Sequence, residues 1–265
     1  MYSTDLQDKI QPTMMTITPI RALQDNYIWL IIQDQHCIIV DPGDAQPVFE
    51  VIKQQNLIPV AILVTHHHAD HTAGIRTIIE QFKVEVYGSL RSKNPHITQK
   101  VKDQDSITPI GFELTVIATP GHTKDHEAYY GNGMLFSGDA LFAAGCGRVF
   151  EGTAQEMYNS LIKLAALPDD TSIYCAHEYT LDNLKFAQTV EPNNHVIAER
   201  IVKCQQLLQQ GLPTLPSTIG SEKATNPFLR CDKPSIIAAA HKHSGKSPTA
   251  PAEIFHILRE WKNSW

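Results

Sequence analysis

No stretch of this 265-residue sequence holds the ~20 consecutive apolar residues that a bilayer-spanning helix needs. The segment Met1 to Thr18 is polar and mixed, and it lacks the apolar core behind basic residues that marks a secretory signal. Cysteine is scarce. Cys37, Cys146, Cys175, Cys204 and Cys231 are odd in number and widely scattered, which argues against a disulfide framework and for reduced thiols in the cytosol. Positive charge is not in excess either. The net charge of −6 is spread along the chain, so no stripe suits a polyanion and nucleic acid is not an expected partner. Internal repeats and low-complexity segments are also missing. What remains, with 42% apolar and 19% charged residues, is the composition of a globular protein. It is expected to be cytoplasmic and monomeric, with room for one large domain or two modest ones.

From about Asp25 to His177 the pattern is strand-rich. Tyr27 to Ile32 and Cys37 to Val40 read as antiparallel strands joined by the polar Gln33-Asp34-Gln35 turn, and Asp41-Pro42-Gly43-Asp44 breaks the run. Gly74 to Phe82 has helical spacing through Ile75, Ile78, Ile79 and Phe82, and Val84 to Tyr87 reads as a short strand. Ala154 to Leu167 places Met157, Leu161, Leu164 and Ala165 on one stripe, with Pro168 as the stop. After about Tyr179 the expected order is helix, loop, helix: an amphipathic stretch from Asn194 to Gln210, a long loop from Leu212 to Asn226, and a final helix from Pro251 with Thr249 as its cap. The expected division is a β-rich domain over residues 15–180 and a smaller helical one over 181–265.

Histidine and aspartate supply what the cysteines do not. His66, His68, Asp70, His71, His122, Asp139 and His177 are candidate metal ligands, and four of them form one H-x-H-x-D-H run after the strand-like Val60 to Val64. His122, Asp139 and His177 each lie at or near the end of another apolar, β-rich stretch: Leu114 to Ala118, Met134 to Gly138, and Ser172 to Ala176. Residues at strand ends are how a sheet presents a rigid site. In an extended segment alternate side chains share a side, so His66 and His68 can face one metal while His67 points away. Asp70 and His71 can then aim at a second, Asp139 can bridge with its two oxygens, and His122 and His177 can complete one ion each. Histidine with carboxylate support suits zinc, and also iron or manganese. A purely structural site would more often close its shell with cysteine, and none of the five sits among these residues. The remaining histidines, His36, His67, His96, His126, His195, His241, His243 and His256, read as surface or packing residues.

Two divalent cations bring +4 against −2 from Asp70 and Asp139, leaving about +2, enough to lower the pKa of bound water to roughly 7. Such a site can also polarise a carbonyl and stabilise the oxyanion that follows attack.

These residues, with Thr119-Pro120-Gly121-His122-Thr123 and Ser137-Gly138-Asp139, resemble the metallo-β-lactamase superfamily. The resemblance implies an αββα sandwich with a two-metal site at one edge, here followed by an α-helical C-terminal domain. Narrower signals resemble the hydroxyacylglutathione hydrolase (glyoxalase II) family. They are Leu23-Gln24-Asp25-Asn26-Tyr27, the run Gly138 to Arg148, Glu151-Gly152-Thr153, Cys175 to Thr180, Asn226 to Arg230 and the Arg259-x-x-Lys262 end. The resemblance covers the chain from about Met15, and the first fourteen residues find no counterpart in it. It implies a metal-dependent thioesterase that converts S-(2-hydroxyacyl)glutathione, notably S-lactoylglutathione, to glutathione and a hydroxy acid, the second step of methylglyoxal detoxification. It also implies His66, His68 and His122 on the first metal, Asp70, His71 and His177 on the second, and Asp139 between them. Asp70 would orient the attacking hydroxide. Two Zn2+ are the expected cations, with iron or manganese as alternatives, and the glutathione moiety would meet Arg148, Tyr179, His177, Arg259 and Lys262.

The chemistry of that substrate agrees with the residues. A thiolate leaving group of pKa about 8.5 to 9 needs little help from a general acid. Glutathione carries two carboxylates, which suits Arg and Lys. Phe255, Arg259 and Lys262 share a helical face. Three departures from the family pattern stand out. Phe150 stands where the family usually has tyrosine, Arg148 where many members have lysine, and Lys124-Asp125 where it often shows a small residue and glycine before the next histidine. A different hydrolase of the superfamily would lack the Arg148, Tyr179, Arg259 and Lys262 set. A single-iron persulfide dioxygenase would not need the second ligand set, and a non-catalytic scaffold would have lost ligands.

Overall fold

Alternation in one strand lays out the layers. In Asn26–Gln33 the side chains of Tyr27, Trp29 and Ile31 enter one buried cluster and those of Ile28, Leu30 and Ile32 another. A strand buried on both faces belongs to a sheet covered on both faces. The computed structural model describes residues 15–265; the N-terminal extension expected before Met15 lies outside them.

Among the described residues, six strands form the first sheet in sequential order: β1 (Met15–Ala22), β2 (Asn26–Gln33), β3 (His36–Val40), β4 (Ile58–Leu63), β5 (Glu85–Ser89) and β6 (Gln99–Val101). The hairpins β1–β2 and β2–β3 are antiparallel, and β3, β4, β5 and β6 run parallel. Parallel neighbours need crossovers; helix α1 (Gln46–Gln55) supplies the first, the single turn α2 (Ala69–Thr72) with α3 (Ile75–Gln81) the second, and a turn-rich loop the third. The second sheet is built from β7 (Ser106–Ile107), β8 (Leu114–Ala118), β9 (Glu127–Gly131), β10 (Met134–Gly138), β13 (Ser172–Cys175) and β14 (Ser217–Thr218), in the order β14-β13-β10-β9-β8-β7. Between β10 and β13 come the small ribbon of β11 (Leu141–Phe142) and β12 (Gly145–Cys146) and the helix α4 (Ala154–Ala165). Helices α5 (Thr180–Val190), α6 (His195–Gln209), α7 (Ile219–Thr225), α8 (Pro234–Ser244) and α9 (Pro251–Ser264) complete the chain.

Three apolar layers hold this together. Val48, Ile52, Ile75 and Ile78 of α1 and α3 cover one face of the first sheet. Trp29, Ile38, Leu63, Val116, Tyr129 and Phe136 fill the space between the sheets. Met157, Leu161 and Leu164 of α4, with Phe186, Phe255 and Leu258 from the C-terminal helices, cover the outer face of the second sheet through Leu135 and Ile173. This is the αββα sandwich, with a helical region added on one side.

Several local expectations change. β1 does not show in the sequence pattern because its side chains are mostly half-buried and Pro19 interrupts it; it is an edge strand paired through Met15↔Gln33 to Ala22↔Asn26. The region Leu212 to Asn226 is not all loop. Thr218 caps α7 by accepting from Ser221 N, and the buried Ile219, Glu222 and Thr225 give that short helix its inner side. The last helix starts at Pro251 after Ala250, with no side-chain cap, so Thr249 does not cap it. Helices α5 and α8 make the C-terminal region more helical than helix, loop, helix.

Strand direction sets the site. β8 and β10 flank β9, which runs antiparallel to both, and β13 lies parallel to β10 with Cys175 opposite Gly138. The C-terminal ends of β8, β10 and β13 therefore share one edge, and His122, Asp139 and His177 follow them. The sheets are tied there by Glu127 N donating to Thr65 O at 2.8 Å and Tyr27 N donating to Ala176 O at 2.7 Å. Gly138 sits in the left-handed region with φ 48°, and a Cβ there would collide with Thr65 Oγ1, so only glycine lets Asp139 start so close to the histidine run.

Candidate metal centre

The residues expected to bind metal converge at this edge in two adjoining groups. His66, His68 and His122 place one nitrogen each within 4.8 Å of one another, and so do Asp70, His71 and His177 with one ligand atom each. In the first group His66 Nε2 and His122 Nε2 lie 3.0 and 3.1 Å from His68 Nδ1. In the second, His71 Nε2 and His177 Nε2 each lie 3.4 Å from Asp70 Oδ2. Asp139 stands between them. Its Oδ2 is 3.5 Å from His122 Nε2, and its Oδ1 is 3.4 Å from both His71 Nε2 and His177 Nε2.

Each of four histidines is fixed from behind through its other nitrogen, which sets the ring and the tautomer. His71 Nδ1 meets Asp41 Oδ2 at 3.0 Å, His177 Nδ1 meets Asp25 Oδ1 at 2.7 Å, and His122 Nδ1 donates to Arg148 O at 2.8 Å. His66 Nδ1 meets Thr65 Oγ1 at 3.1 Å, and that hydroxyl donates to Asp41 Oδ2 at 2.7 Å. Asn26 Nδ2 donates to Asp70 Oδ2 at 3.1 Å. His126 is a support rather than a candidate ligand. Its Nε2 accepts from Asp139 N at 3.1 Å and its Nδ1 donates to Thr119 Oγ1 at 2.7 Å, and burial keeps it neutral with a pKa down at about 3.

The two groups differ electrostatically. Burial holds His66 well below the usual imidazole range and lowers His68 and His122 as well. Burial opposes charge on His71 and His177 too, but the carboxylates of Asp139 and Asp41 raise His71 well above that range, and contacts with Asp139, Asp70 and Asp25 raise His177 to about 10. The close approach of His177 and then His71 holds the Asp70 carboxyl far down, and the same two histidines outweigh burial at Asp139. Protons on His71 and His177 thus answer the surrounding carboxylates, and a divalent cation would supply that charge through the same nitrogens. The buried atoms His71 Nε2 and Asp139 Oδ1 have no hydrogen-bond partner among the described residues. Orphaned polar atoms facing one another in a buried site fit a shared cation.

A cleft of about 520 Å³ opens beside the centre, lined by His122, Asp139, Arg148, Phe150, Tyr179, Arg259 and Lys262 among others. Arg148 is exposed. Tyr179 stacks on His177 with ring centroids 4.7 Å apart. Lys262 is lowered to about 8, mainly by burial and then by Arg259, and its Nζ lies 4.5 Å over the Trp265 ring. Arg259 is only 5% exposed, and its Nη1 donates to Cys146 O at 2.8 Å, so it faces the cleft largely through the segment it holds. Phe150, 61% exposed, sets its ring 5.2 Å from that of His122 and 5.9 Å from that of His68.

Comparison with known proteins accounts for this combination. The family model of the metallo-beta-lactamase superfamily matches residues 23–177, and that of the hydroxyacylglutathione hydrolase C-terminus matches residues 178–265. The hydroxyacylglutathione hydrolase of Nitrosomonas europaea is 47% identical over 95% of this chain and 97% of its own. That of Aeromonas hydrophila is 51% identical over 94% of this chain and 99% of its own. The chain belongs to the hydroxyacylglutathione hydrolase family. Among solved structures, ETHE1 from Myxococcus xanthus superposes with a TM-score of 0.65 at 25% identity, over 94% of this chain and 91% of that one. BLEG-1 B3 metallo-beta-lactamase superposes with a TM-score of 0.61 at 24% identity, over 82% and 99%, a likeness of fold. In that fold the histidine and aspartate cluster suggests a dinuclear metal site.

The seven candidate ligands expected from the sequence come together here, whereas the residues behind them carry no sequence signal of that place. Asp25 and Asn26 lie inside a family motif, yet nothing in their spacing points to His177 or Asp70. Asp41 reads as a turn residue, although it receives Thr65 N, Thr65 Oγ1 and the Nδ1 side of His71. A carboxylate buried to 4% exposure beside a predicted strand end is its only mark, and that mark needs the structure.

Proposed function

We propose that the chain hydrolyses S-(2-hydroxyacyl)glutathione, such as S-lactoylglutathione, with two divalent cations held by the seven inner residues. Family membership gives the reaction class. The observation that carries the detailed reading is the placement of Asp139, whose two oxygens face different histidine groups. His66, His68 and His122 would hold one cation and Asp70, His71 and His177 the other, with Asp139 placed to serve both. Zinc is the proposed metal, because neutral imidazoles with carboxylates suit it and no thiolate is present. Bound there, the cations supply the Lewis acidity that activates water and polarises the thioester carbonyl.

The chain's own groups do the rest. Asp70 stays ionised, so it orients the attacking water as an acceptor, and 38% of its side chain is exposed. Water adds to the carbonyl carbon and gives up its protons to solvent, the C–S bond breaks, and the sulfur leaves as thiolate, which takes one proton back while the hydroxy acid leaves as its carboxylate. Arg148, Tyr179 and Lys262 bind the glutathione moiety, with charge-assisted contacts for its carboxylates. Arg259 holds the Cys146 to Arg148 segment against the last helix and adds positive charge. In this reading residues 15–180 form the metal domain and 181–265 a helical domain that completes the substrate cleft. The protein acts as a cytoplasmic monomer, and no helix of the described residues is long and apolar enough to cross a membrane.

The experiment is direct: supply purified, zinc-loaded protein with S-lactoylglutathione and follow thiol release. Turnover that stops on chelation and returns with zinc is expected. A fully loaded protein that releases no thiol would overturn the reading.

A further inference from the structure

His67 lies between two metal-facing histidines and points away from both partners, toward a cluster that the hydrolytic site does not use. Its Nδ1 is 2.8 Å from Asp125 Oδ1, and its Nε2 is 3.6 Å from Glu151 Oε1. Asp125 is 6% exposed and also accepts from Thr123 Oγ1 at 2.8 Å. Glu151 accepts from Lys124 N at 2.9 Å. The backbone repeats the tie: Phe150 N and Glu151 N both donate to His122 O at 3.3 Å, and Gly152 N donates to Gly121 O at 3.1 Å. One side chain therefore joins the loop carrying His66 and His68, the loop carrying His122, and the loop carrying Arg148 and Phe150. The resemblance marks the same place, since the family often shows glycine where this chain has Asp125.

We infer that Asp125, through His67, is a positioning residue that sets the distance between the His66–His68 pair and His122. The inference rests on the proposed assignment of those three histidines to one cation. The strut is buried at the Asp125 end, and a buried carboxylate needs its donors. His67 Nδ1 and Thr123 Oγ1 both answer it, so neither loop can shift without breaking a bond that burial makes costly. A glycine at 125 would remove the direct bond and leave the two loops joined on this side through Glu151, which meets His67 Nε2 at 3.6 Å and accepts from Lys124 N. The His71 and His177 group has no share in the strut; Asp41 and Asp25 hold it instead. The effect should fall on one half of the centre.

A cation site built across two loops loses affinity when the loops are no longer held to each other. Removing an outer-shell partner of a metal ligand typically costs about 10- to 100-fold in metal affinity. The position of Asp125 is one bond further out, so the lower part of that range is expected.

The test is chelator competition with Zn2+ on the full chain, resolving the first and second equivalents, for wild type, Asp125→Gly and Asp125→Asn. Cobalt substitution reports the geometry of the first site by its absorption bands. Asp125→Gly is expected to weaken one equivalent about tenfold and to broaden its cobalt spectrum, with the other equivalent unchanged. Asp125→Asn keeps the acceptor oxygen and should recover most of that loss. Melting of the metal-free protein separates this from general damage. If Asp125→Gly binds both equivalents as wild type does, or weakens both equally while lowering the metal-free melting temperature, the positioning role is wrong. If wild type itself fails to bind two cations, the assignment beneath it falls first, and the two failures are distinguishable.

Discussion

The two halves of the metal centre are built alike and behave differently. Each draws its candidate ligands from separate chain segments at one edge of the sandwich, and each is braced from behind through the far nitrogens of two histidines. The His66, His68 and His122 half is all imidazole, and burial keeps it unprotonated at neutral pH. The Asp70, His71 and His177 half sits among carboxylates that raise His71 and His177. The same construction thus gives one half ready to take a cation at neutral pH and one that must release protons first. Charge around a ligand, more than the ligand's identity, separates them.

The largest effect should come from removing what the halves share. Asp139→Ala is expected to lower bound metal from two equivalents and to cut hydrolysis on the order of a thousandfold or more, since several kcal/mol of charge stabilisation goes with the cations. Metal analysis and a thioester assay on the same sample check this, and near-wild-type turnover would remove the bridge from the account.

Acid should then split the halves. His177 titrates at about 10, so its proton competes with metal throughout the neutral range, and the competition grows as pH falls. The first-half histidines are lowered from 6.5, so protons compete there only in more acidic solution. Zinc competition measured from pH 8 down to pH 5 should show one equivalent weakening well before the other. Parallel loss of both would contradict the comparison.

Substrate contacts give smaller changes. Lys262→Ala is expected to raise KM about tenfold with kcat little altered, the loss of one charged contact to a non-reacting part of the substrate. In wild type, Lys262 is charged below and neutral above about 8, so KM should climb as pH passes that value. Steady-state kinetics on both proteins test it, and a flat KM would remove Lys262 from the glutathione contacts. Phe150→Tyr restores a hydroxyl worth about 1 kcal/mol if it finds an acceptor, or roughly a fivefold lower KM. An unchanged KM would mean that the ring serves only to cover His68 and His122.

The candidate ligands were legible as a group because chemistry restricts them to few residue types and strand ends restrict their positions. His66, His68, Asp70 and His71 announce themselves by spacing, and His122, Asp139 and His177 by following apolar stretches. The sandwich was legible through the alternation and the family motifs. The braces were not. Asp25, Asp41 and His126 act through contacts 13 to 152 residues away in sequence, and local pattern carries no trace of that. His67 read as a surface residue and is exposed, but its contact with Asp125, 58 residues on, left no trace in the pattern. The short helix α7 was hidden because its stability comes from buried Glu222, which Arg200 and Asn226 satisfy, and not from an apolar stripe. Edge strand β1 was hidden by its half-exposed pattern.

A crystal structure of the zinc-loaded protein, with anomalous scattering measured at the zinc edge, tests the central claim most directly. The account predicts two peaks about 3.5 Å apart. One would lie among His66, His68 and His122, the other among Asp70, His71 and His177, with one Asp139 oxygen toward each. A single peak in fully loaded protein, or two peaks with both Asp139 oxygens turned to the same ion, would contradict it.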